Sequence, residues 1–439
     1  MMNTNEKYEL ADLVMQHALK GGAQQVAVRI FDSRSNSLEI RNQNIDSLKE
    51  SNRSGLSIDL YVDKKYSSHS TNRLKKDELF KFIDEAIIAT RYLSEDEFRQ
   101  LPDAELCYKG GGPDLKVFDP KMDTVDAAAK IQLARQALDE AYKKDDRIIS
   151  VSSYYSDGIS SDVMVNSNGF KGDSANTWVG LSVSVSLKTE TGRPSDGWNE
   201  NSVFMDKLVT KEIGKKALER AIKKINPTKI ASGKYTVIVE NRVAGNLLNP
   251  VFSSLSGQSL YQKQSFLAGK VGKAVSAELL TIYDDPFIPS GAGSRLFDGE
   301  GFASVKRPII ENGILKNYYI DNYYGRKLKM QPTTGGSSNI VFNTGTRNLE
   351  DMLKSVKKGV LITGFIGGNF NGSTGDFSYG IDGYLVENGQ IVHPVNEMNI
   401  TGNMNDFWFK LTELGNDIRE NQPMRVPSIM LKDVDLSGI

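Results

Sequence analysis

Three histidines, His17, His69 and His393, and one cysteine, Cys107, are the whole stock of imidazole and thiol in this chain. The histidines are far apart in sequence, so no His-Glu-x-x-His helix can be written, and a lone thiol excludes thiolate-rich zinc sites. His393 with Glu397 is a poor metal pair, while His17 on an opening helix and His69 in a polar loop read as surface or satisfied positions. Carboxylates offer more. Asp284-Asp285-Pro286 and Asp298-Gly299-Glu300-Gly301 could each supply an acid–base pair or a hard-cation site. Neighbouring acids on an extended segment face opposite ways, so Asp284 and Asp285 read first as turn or cap formers. Asp298 and Glu300, at i and i+2, share a face and make the better pair. Hydroxyls abound in Ser253-Ser254, Ser256, Ser259 and the run Thr333-Thr334-Gly335-Gly336-Ser337-Ser338. With no base beside them and no Gly-x-Ser-x-Gly elbow, they read as polar loops. Gly364-Phe365-Ile366-Gly367-Gly368 lacks dinucleotide-loop spacing, and Tyr318-Tyr319 and Tyr323-Tyr324 suit strand packing better than a peptide or glycan groove.

The elements around these residues follow from hydrophobic period. Residues 6–20 carry Leu10, Leu13, Val14 and Ala18 at helical spacing and stop at Gly21-Gly22. Alternation at Val26–Ile30, Leu38–Ile40 and Leu56–Val62 predicts strands of a small antiparallel sheet, with a helix over 76–93 packed on it. The loop Lys109-Gly110-Gly111-Gly112-Pro113 starts a new unit. There Asp123 is placed to cap a helix through Ala141, and 148–187 reads as strands broken at Asp157-Gly158 and Asn168-Gly169. A helix over 206–225 ends at a linker containing Asn226-Pro227 and Ser232-Gly233. Beyond it the chain is β-rich, with a strand over 235–240, a helix over 242–255 that Pro250 threatens, and two hairpins turning at Asn312-Gly313 and Asn388-Gly389. The fold class expected is α+β: an N-terminal region, 1–228, with a sub-boundary near 110, and a β-rich domain, 229–439.

The chain of 439 residues balances 54 Lys+Arg against 55 Asp+Glu, a formal net charge of -1. Without a basic surplus, nucleic acid and anionic membrane are poor first partners. One cysteine, no apolar leader and no run long enough to span a bilayer predict a cytoplasmic protein.

Longer stretches say more in combination. They are Gly257, Ser265-Phe266-Leu267-Ala268-Gly269-Lys270-Val271-Gly272, Thr281-Ile282-Tyr283-Asp284-Asp285-Pro286, Phe297-Asp298-Gly299-Glu300-Gly301, Ile310–Leu315, Arg326-Lys327-Leu328, Ser373–Phe377 and Tyr384–Gly389. In these the chain closely resembles the TldD/PmbA family of peptidase-complex proteins, also called modulators of DNA gyrase. In the TldD branch a helix carries His-Glu-x-x-x-His, whose histidines, with a C-terminal cysteine, are understood to hold zinc while the glutamate acts as base. The matching stretch here is Leu247–Ser254, with Asn249 and Ser254 at the histidine positions and Pro250 at the glutamate position. Residues 415–427 contain no cysteine.

The resemblance therefore implies the PmbA branch, also called TldE: a subunit without catalytic residues, metal or cofactor of its own, paired with a zinc-carrying TldD-type subunit or, failing that, with itself. Its substrate would be an unfolded peptide taken as an added strand on an open edge of the C-terminal part. Asp284, Asp285, Asp298, Glu300, Thr333 and Thr334 would shape the groove or cavity. Two alternatives stand beside this reading: a binding or regulatory module of the gyrase-modulator kind, and an autonomous hydrolase using Asp298 and Glu300.

Overall fold

The computed structural model describes residues 2–190 and 192–438. The N-terminal part repeats one pattern, helix, three strands, helix. The first copy is α1 (Thr4–Lys20), β1 (Gln25–Arg41), β2 (Asn44–Val62), β3 (Lys65–Thr71) and α2 (Lys76–Thr90). The second is α3 (Ala127–Asp139), β4 (Ile148–Asn166), β5 (Lys171–Leu187), β6 (Ser195–Ser202) and α4 (Ile213–Lys223). β1 and β4 pair antiparallel, so the copies share one six-stranded sheet in the order β3-β2-β1-β4-β5-β6.

The repeat is visible in the side chains. Gly55-Leu56-Ser57-Ile58-Asp59-Leu60-Tyr61-Val62 of β2 answers Gly180-Leu181-Ser182-Val183-Ser184-Val185-Ser186-Leu187 of β5. Asn3 and Asp126 cap α1 and α3 through their side chains, satisfying amides the first turn leaves orphaned. Four residues on, Lys7 and Lys130 each bury an ammonium against a strand carboxylate: Lys7–Asp32 at 3.0 Å and Lys130–Asp157 at 2.7 Å. All four helices cover one face of the sheet, α1 and α2 over Val28, Ile58 and Leu60, α3 and α4 over Tyr155, Leu181 and Val183.

Several expectations need correcting. The two short strands expected at Val26–Ile30 and Leu38–Ile40 are one 17-residue strand, because β2 and β4 bond it on both sides through the polar stretch between them. Asp157-Gly158 is not a turn but mid-strand. Asp157 is held by Lys130, and the Trp178 ring lies so close to Gly158 that a Cβ there would sit 2.0 Å from it. Asn168-Gly169 does turn, between β4 and β5. The cap is Asp126 rather than Asp123, which lies in a 3-10 turn, and α4 starts only after Glu212, whose left-handed φ of 63° interrupts the expected longer helix. His69 lies on β3, not in a loop.

The C-terminal part comprises β7 (Gly233–Val239), α5 (Asn241–Ala244), α6 (Asn249–Ser254), α7 (Gly257–Tyr261), β8 (Ile282–Asp284), β9 (Arg307–Glu311), β10 (Ile314–Leu315), α8 (Asn322–Leu328), β11 (Ile340–Phe342), α9 (Leu349–Lys354), β12 (Lys358–Phe370), β13 (Asp376–Glu387), β14 (Gln390–Asn403), α10 (Met404–Phe407), β15 (Leu411–Leu414), β16 (Met424–Arg425) and β17 (Ile429–Ser437). One sheet runs β14-β13-β12-β7-β17-β15, and a further β14–β17 pairing closes it on itself; the other runs β10-β9-β8-β11-β16. A single apolar core joins them, including Val237, Leu247, Ile282, Ile362 and Trp408. Both Asn-Gly turns appear as read, with positive φ at Asn312, Gly313, Asn388 and Gly389, the geometry of a two-residue hairpin loop. The expected 242–255 helix is broken into α5, a 3-10 turn and α6, and Pro250 sits in the first turn of α6, where a missing N–H is harmless. Tyr318 and Tyr319 are core residues, whereas Tyr323 and Tyr324 lie on α8 rather than on a strand.

Candidate functional site

Asp284 ends the central strand β8 and is buried. Its Oδ1 accepts from the Ser338 amide at 2.9 Å and from the Ser338 hydroxyl. Arg307, its register partner on β9, and Tyr319 complete a polar group inside the C-terminal part. Burial first, then the neighbouring Asp284 carboxylate, push the Tyr319 hydroxyl well above its usual range. Asp285 points elsewhere, as strand alternation requires. It pairs with Lys306 at 2.8 Å and accepts from the Phe287 amide.

Asp298 organises the next loop. Its carboxylate accepts from the amides of Glu300 (3.0 Å), Phe302 (3.1 Å) and Gly335 (3.4 Å) and from the Thr334 hydroxyl (2.8 Å). Four donors use the acceptor capacity of one carboxylate, so Asp298 is a loop anchor that ties two distant segments together. Arg295 reaches Thr334 at 3.4 Å and the Gly336 carbonyl. The Thr333 hydroxyl donates to the Tyr318 carbonyl and accepts from the Ile320 amide. Glu300 turns away from this loop to the joint between the N- and C-terminal parts, where its Oε2 accepts from the Asn322 amide at 2.9 Å. Burial, aided by Asp298 and Asp321 against the opposing pull of the Asn322 amide and Arg99, pushes its carboxyl up to about 7. Arg99 itself is stacked between Tyr66 and Tyr323, at 4.7 and 3.6 Å from the ring centres.

A cleft of 1160 Å³ lies between the helix-free face of the N-terminal sheet and the C-terminal loops. Ser33, Ser57 and Ser160 give it a hydroxyl-bearing floor, Phe31 and Phe297 an apolar side, and Asp298 lies at its wall. Asp284 and Thr334 are buried within the C-terminal part. The three histidines stay separate: His17 pairs with Asp84, His69 with Ser67, and His393 with Thr228, while Glu397 pairs with Lys229.

A second feature lies around α5 and α6. α5 packs on β12. Beyond Ile362, β12 pairs with β13 alone, and residues 366–369 are exposed, which leaves a free strand edge. On α6, Asn249 is exposed, Pro250 is buried, and Ser254 is 1% exposed with its hydroxyl unpartnered among the described residues.

Comparison with known proteins decides the family. Residues 26–90, 120–225 and 232–438 match domain 1, the central domain and the C-terminal domain of the PmbA/TldA metallopeptidases. A metalloprotease PmbA homologue of Haemophilus influenzae is 30% identical over 99% of this chain and 96% of its own length. The chain belongs to the PmbA/TldD metallopeptidase family. Metalloprotease PmbA of Escherichia coli is 30% identical over 92% of this chain and 90% of its own. A crystal structure of a candidate modulator of DNA gyrase from Bacteroides thetaiotaomicron superposes with a TM-score of 0.98, at 44% identity over the full length of both chains. TldE of Thermococcus kodakarensis shares the fold, with a TM-score of 0.88 at 19% identity over 98% of this chain and all of that one.

A metallopeptidase family implies zinc, and the matching α6 positions test the fit. Asn249 offers a neutral amide to solvent, Pro250 no proton acceptor, and Ser254 a hydroxyl turned into the core. These side chains neither converge nor carry the imidazole, thiolate or carboxylate donors zinc takes, so they do not fit it. Among the described residues no group of three or more His, Cys, Asp or Glu is gathered for a metal. Sequence reasoning missed Arg295, Arg307, Ser338 and Arg99 as partners of the acidic residues; each comes from a distant segment, and no local spacing announces it.

Proposed function

We propose that this chain is the non-metal-binding subunit of a PmbA/TldD-type metallopeptidase complex that processes unfolded peptides, with zinc carried by a TldD-type partner. One observation carries the reading: the helix α6 holds no zinc donor set, yet it lies one 3-10 turn beyond a helix packed against a strand with a free edge. Such an edge takes an extended peptide through backbone hydrogen bonds, which ask little of the peptide's sequence. Two solved relatives described as candidate gyrase modulators suggest a regulatory role instead, but a net charge of -1 offers no field for DNA. Asp298 is saturated by structural hydrogen bonds, which disfavours a hydrolase built on it. No helix among the described residues is long and apolar enough to cross a membrane; the lone buried thiol suits a reducing compartment, and we assign the chain to the cytoplasm.

The test is peptidase activity on an unfolded peptide, with metal content measured in parallel, for this chain alone and mixed with a sibling bearing His-Glu-x-x-x-His. Zinc and turnover confined to the mixture are expected. Zinc-dependent turnover by this chain alone would overturn the proposal.

A further inference from the structure

The two halves of the N-terminal sheet differ at one place. In the second half, β6 pairs with β5 only from Val179 onward. Before that point an extended stretch of chain stands in for a strand: the Thr177 amide donates to the Val117 carbonyl at 3.0 Å, and the Asp119 amide to the Thr177 hydroxyl at 2.9 Å. The first half repeats the geometry without the cover. β3 pairs with β2 only from Leu56 to Val62, so residues 44–55 run on beyond it. The Tyr61 carbonyl accepts from Gln24 on the β1 side. From Ser47 to Val62, beyond a bulge at Asp46, odd-numbered residues of β2 therefore turn their amides to β1, and Leu48, Glu50 and Asn52 turn theirs outward. Asn52 holds the repeat position of Thr177, by the offset that relates Gly55 to Gly180. None of the three outward amides has a partner among the described residues. The strand is exposed on both faces, with Leu48 57% accessible. Free edges are normally short, covered or bulged; this one carries a bulge at Asp46 near the hairpin tip and then runs unbroken from Ser47 to Gly55.

We infer that the edge of β2 at residues 47–55 receives an extended, acidic segment of a non-identical partner chain as an added strand. The edge is ill-suited to its own copy. Two-fold antiparallel pairing sets residues of the same face opposite each other, so registers centred on Glu50, Lys49 or Ser51 place Glu50 against Glu50, Lys49 against Lys49, or Lys49 against Arg53, and a register centred on Asn52 runs Leu48 of the copy against Leu56, whose outward side β3 already fills. Like charges directly opposite are destabilising. On the face turned away from the helices, Lys49 and Arg53 stand four residues apart; neither makes an ion pair within 4 Å among the described residues, Lys49 being drawn only at longer range to Glu39 on β1, whereas Glu50 is already met by Arg34 at 3.4 Å. An incoming strand with acidic side chains at i and i+4 would match both cations. This edge is on β2, apart from the β12 edge assigned to peptide substrate, and the inference does not depend on that assignment.

The probe is a synthetic strand-forming peptide of about ten residues, alternating Thr and Val with Glu at i and i+4, beside a version with Lys at those two positions. Hydrogen exchange of the full chain is expected to slow at Leu48, Glu50 and Asn52 with the Glu peptide. Binding should weaken at least about tenfold for the Lys peptide and for Asn52→Pro, which removes an outward N–H and leaves the β1 ladder intact. If Asn52→Pro disturbs folding by circular dichroism, the double variant Lys49→Glu with Arg53→Glu reads the same point and should invert the peptide preference. Absent protection at those amides, an unchanged preference in the double variant, or self-association of the chain that Asn52→Pro abolishes would each overturn the inference.

Discussion

Glu300 is a carboxylate whose buried environment moves its titration into the physiological range. Its carboxyl is pushed up to about 7 by burial, against an ordinary value of 4.5. Between those two values the folded chain keeps a proton that the unfolded chain has released, so stability falls as pH rises through the window and levels off above it. Glu300→Gln removes the penalty. The variant should gain on the order of 2 to 3 kcal/mol over the parent at pH 8 and nothing near pH 4; denaturant titrations at the two values check this, and an equal effect at both would contradict it. The Lys7–Asp32 pair works the other way. Both residues are 2% exposed, and Ser161 and Ser54 complete their hydrogen bonds. Asp32→Asn alone leaves an uncompensated buried ammonium and should cost about 3 to 5 kcal/mol, while replacing both partners with Met and Leu should recover most of it in the same unfolding measurement.

At the scale of elements, the β9–β10 hairpin shows how tightly backbone approaches backbone at its turn. Gly313 has φ of 77°, and a Cβ there would lie 2.6 Å from the Ser276 carbonyl oxygen. Gly313→Ala should therefore cost more than about 1 kcal/mol in thermal or denaturant unfolding, beyond the usual left-handed penalty. The free edge of β12 gives a second element-scale expectation. In the reconstituted complex, amides within 364–369 should exchange quickly without substrate and slow when an unfolded peptide is added; unchanged exchange during turnover would place peptide binding elsewhere.

Across the whole molecule, the first two repeats are one body. β1 and β4 pair along most of their length, and Val163 and Val165 of the second repeat lie in the core of the first. A protease site inserted into the exposed loop at Gly110–Gly112 should yield two pieces that remain associated in size-exclusion chromatography, since separating them exposes the centre of a sheet. Elution as two independent species would show that the shared ladder contributes little.

The elements whose signals are local were legible in the residues: α1 from its apolar spacing and Gly21-Gly22 stop, both Asn-Gly hairpins from turn chemistry, and the family from motifs along one stretch of chain. Missing zinc donors on α6 were equally legible, because a ligand set is a matter of residue type. What needed tertiary structure was every feature in which one segment completes another. Asp157-Gly158 looks like a turn until Lys130 and Trp178 hold it in a strand. Asp298 and Glu300 look like a catalytic pair until Thr334 saturates one and the Asn322 amide draws the other to the joint between the N- and C-terminal parts. The duplication in the N-terminal sheet was written in Gly55–Val62 and Gly180–Leu187, but short alternating strands resemble one another anyway, and only the β1–β4 pairing gives the likeness meaning. Spacing along the chain specifies what a segment can form; contacts between segments far apart in sequence decide which groups remain free to act.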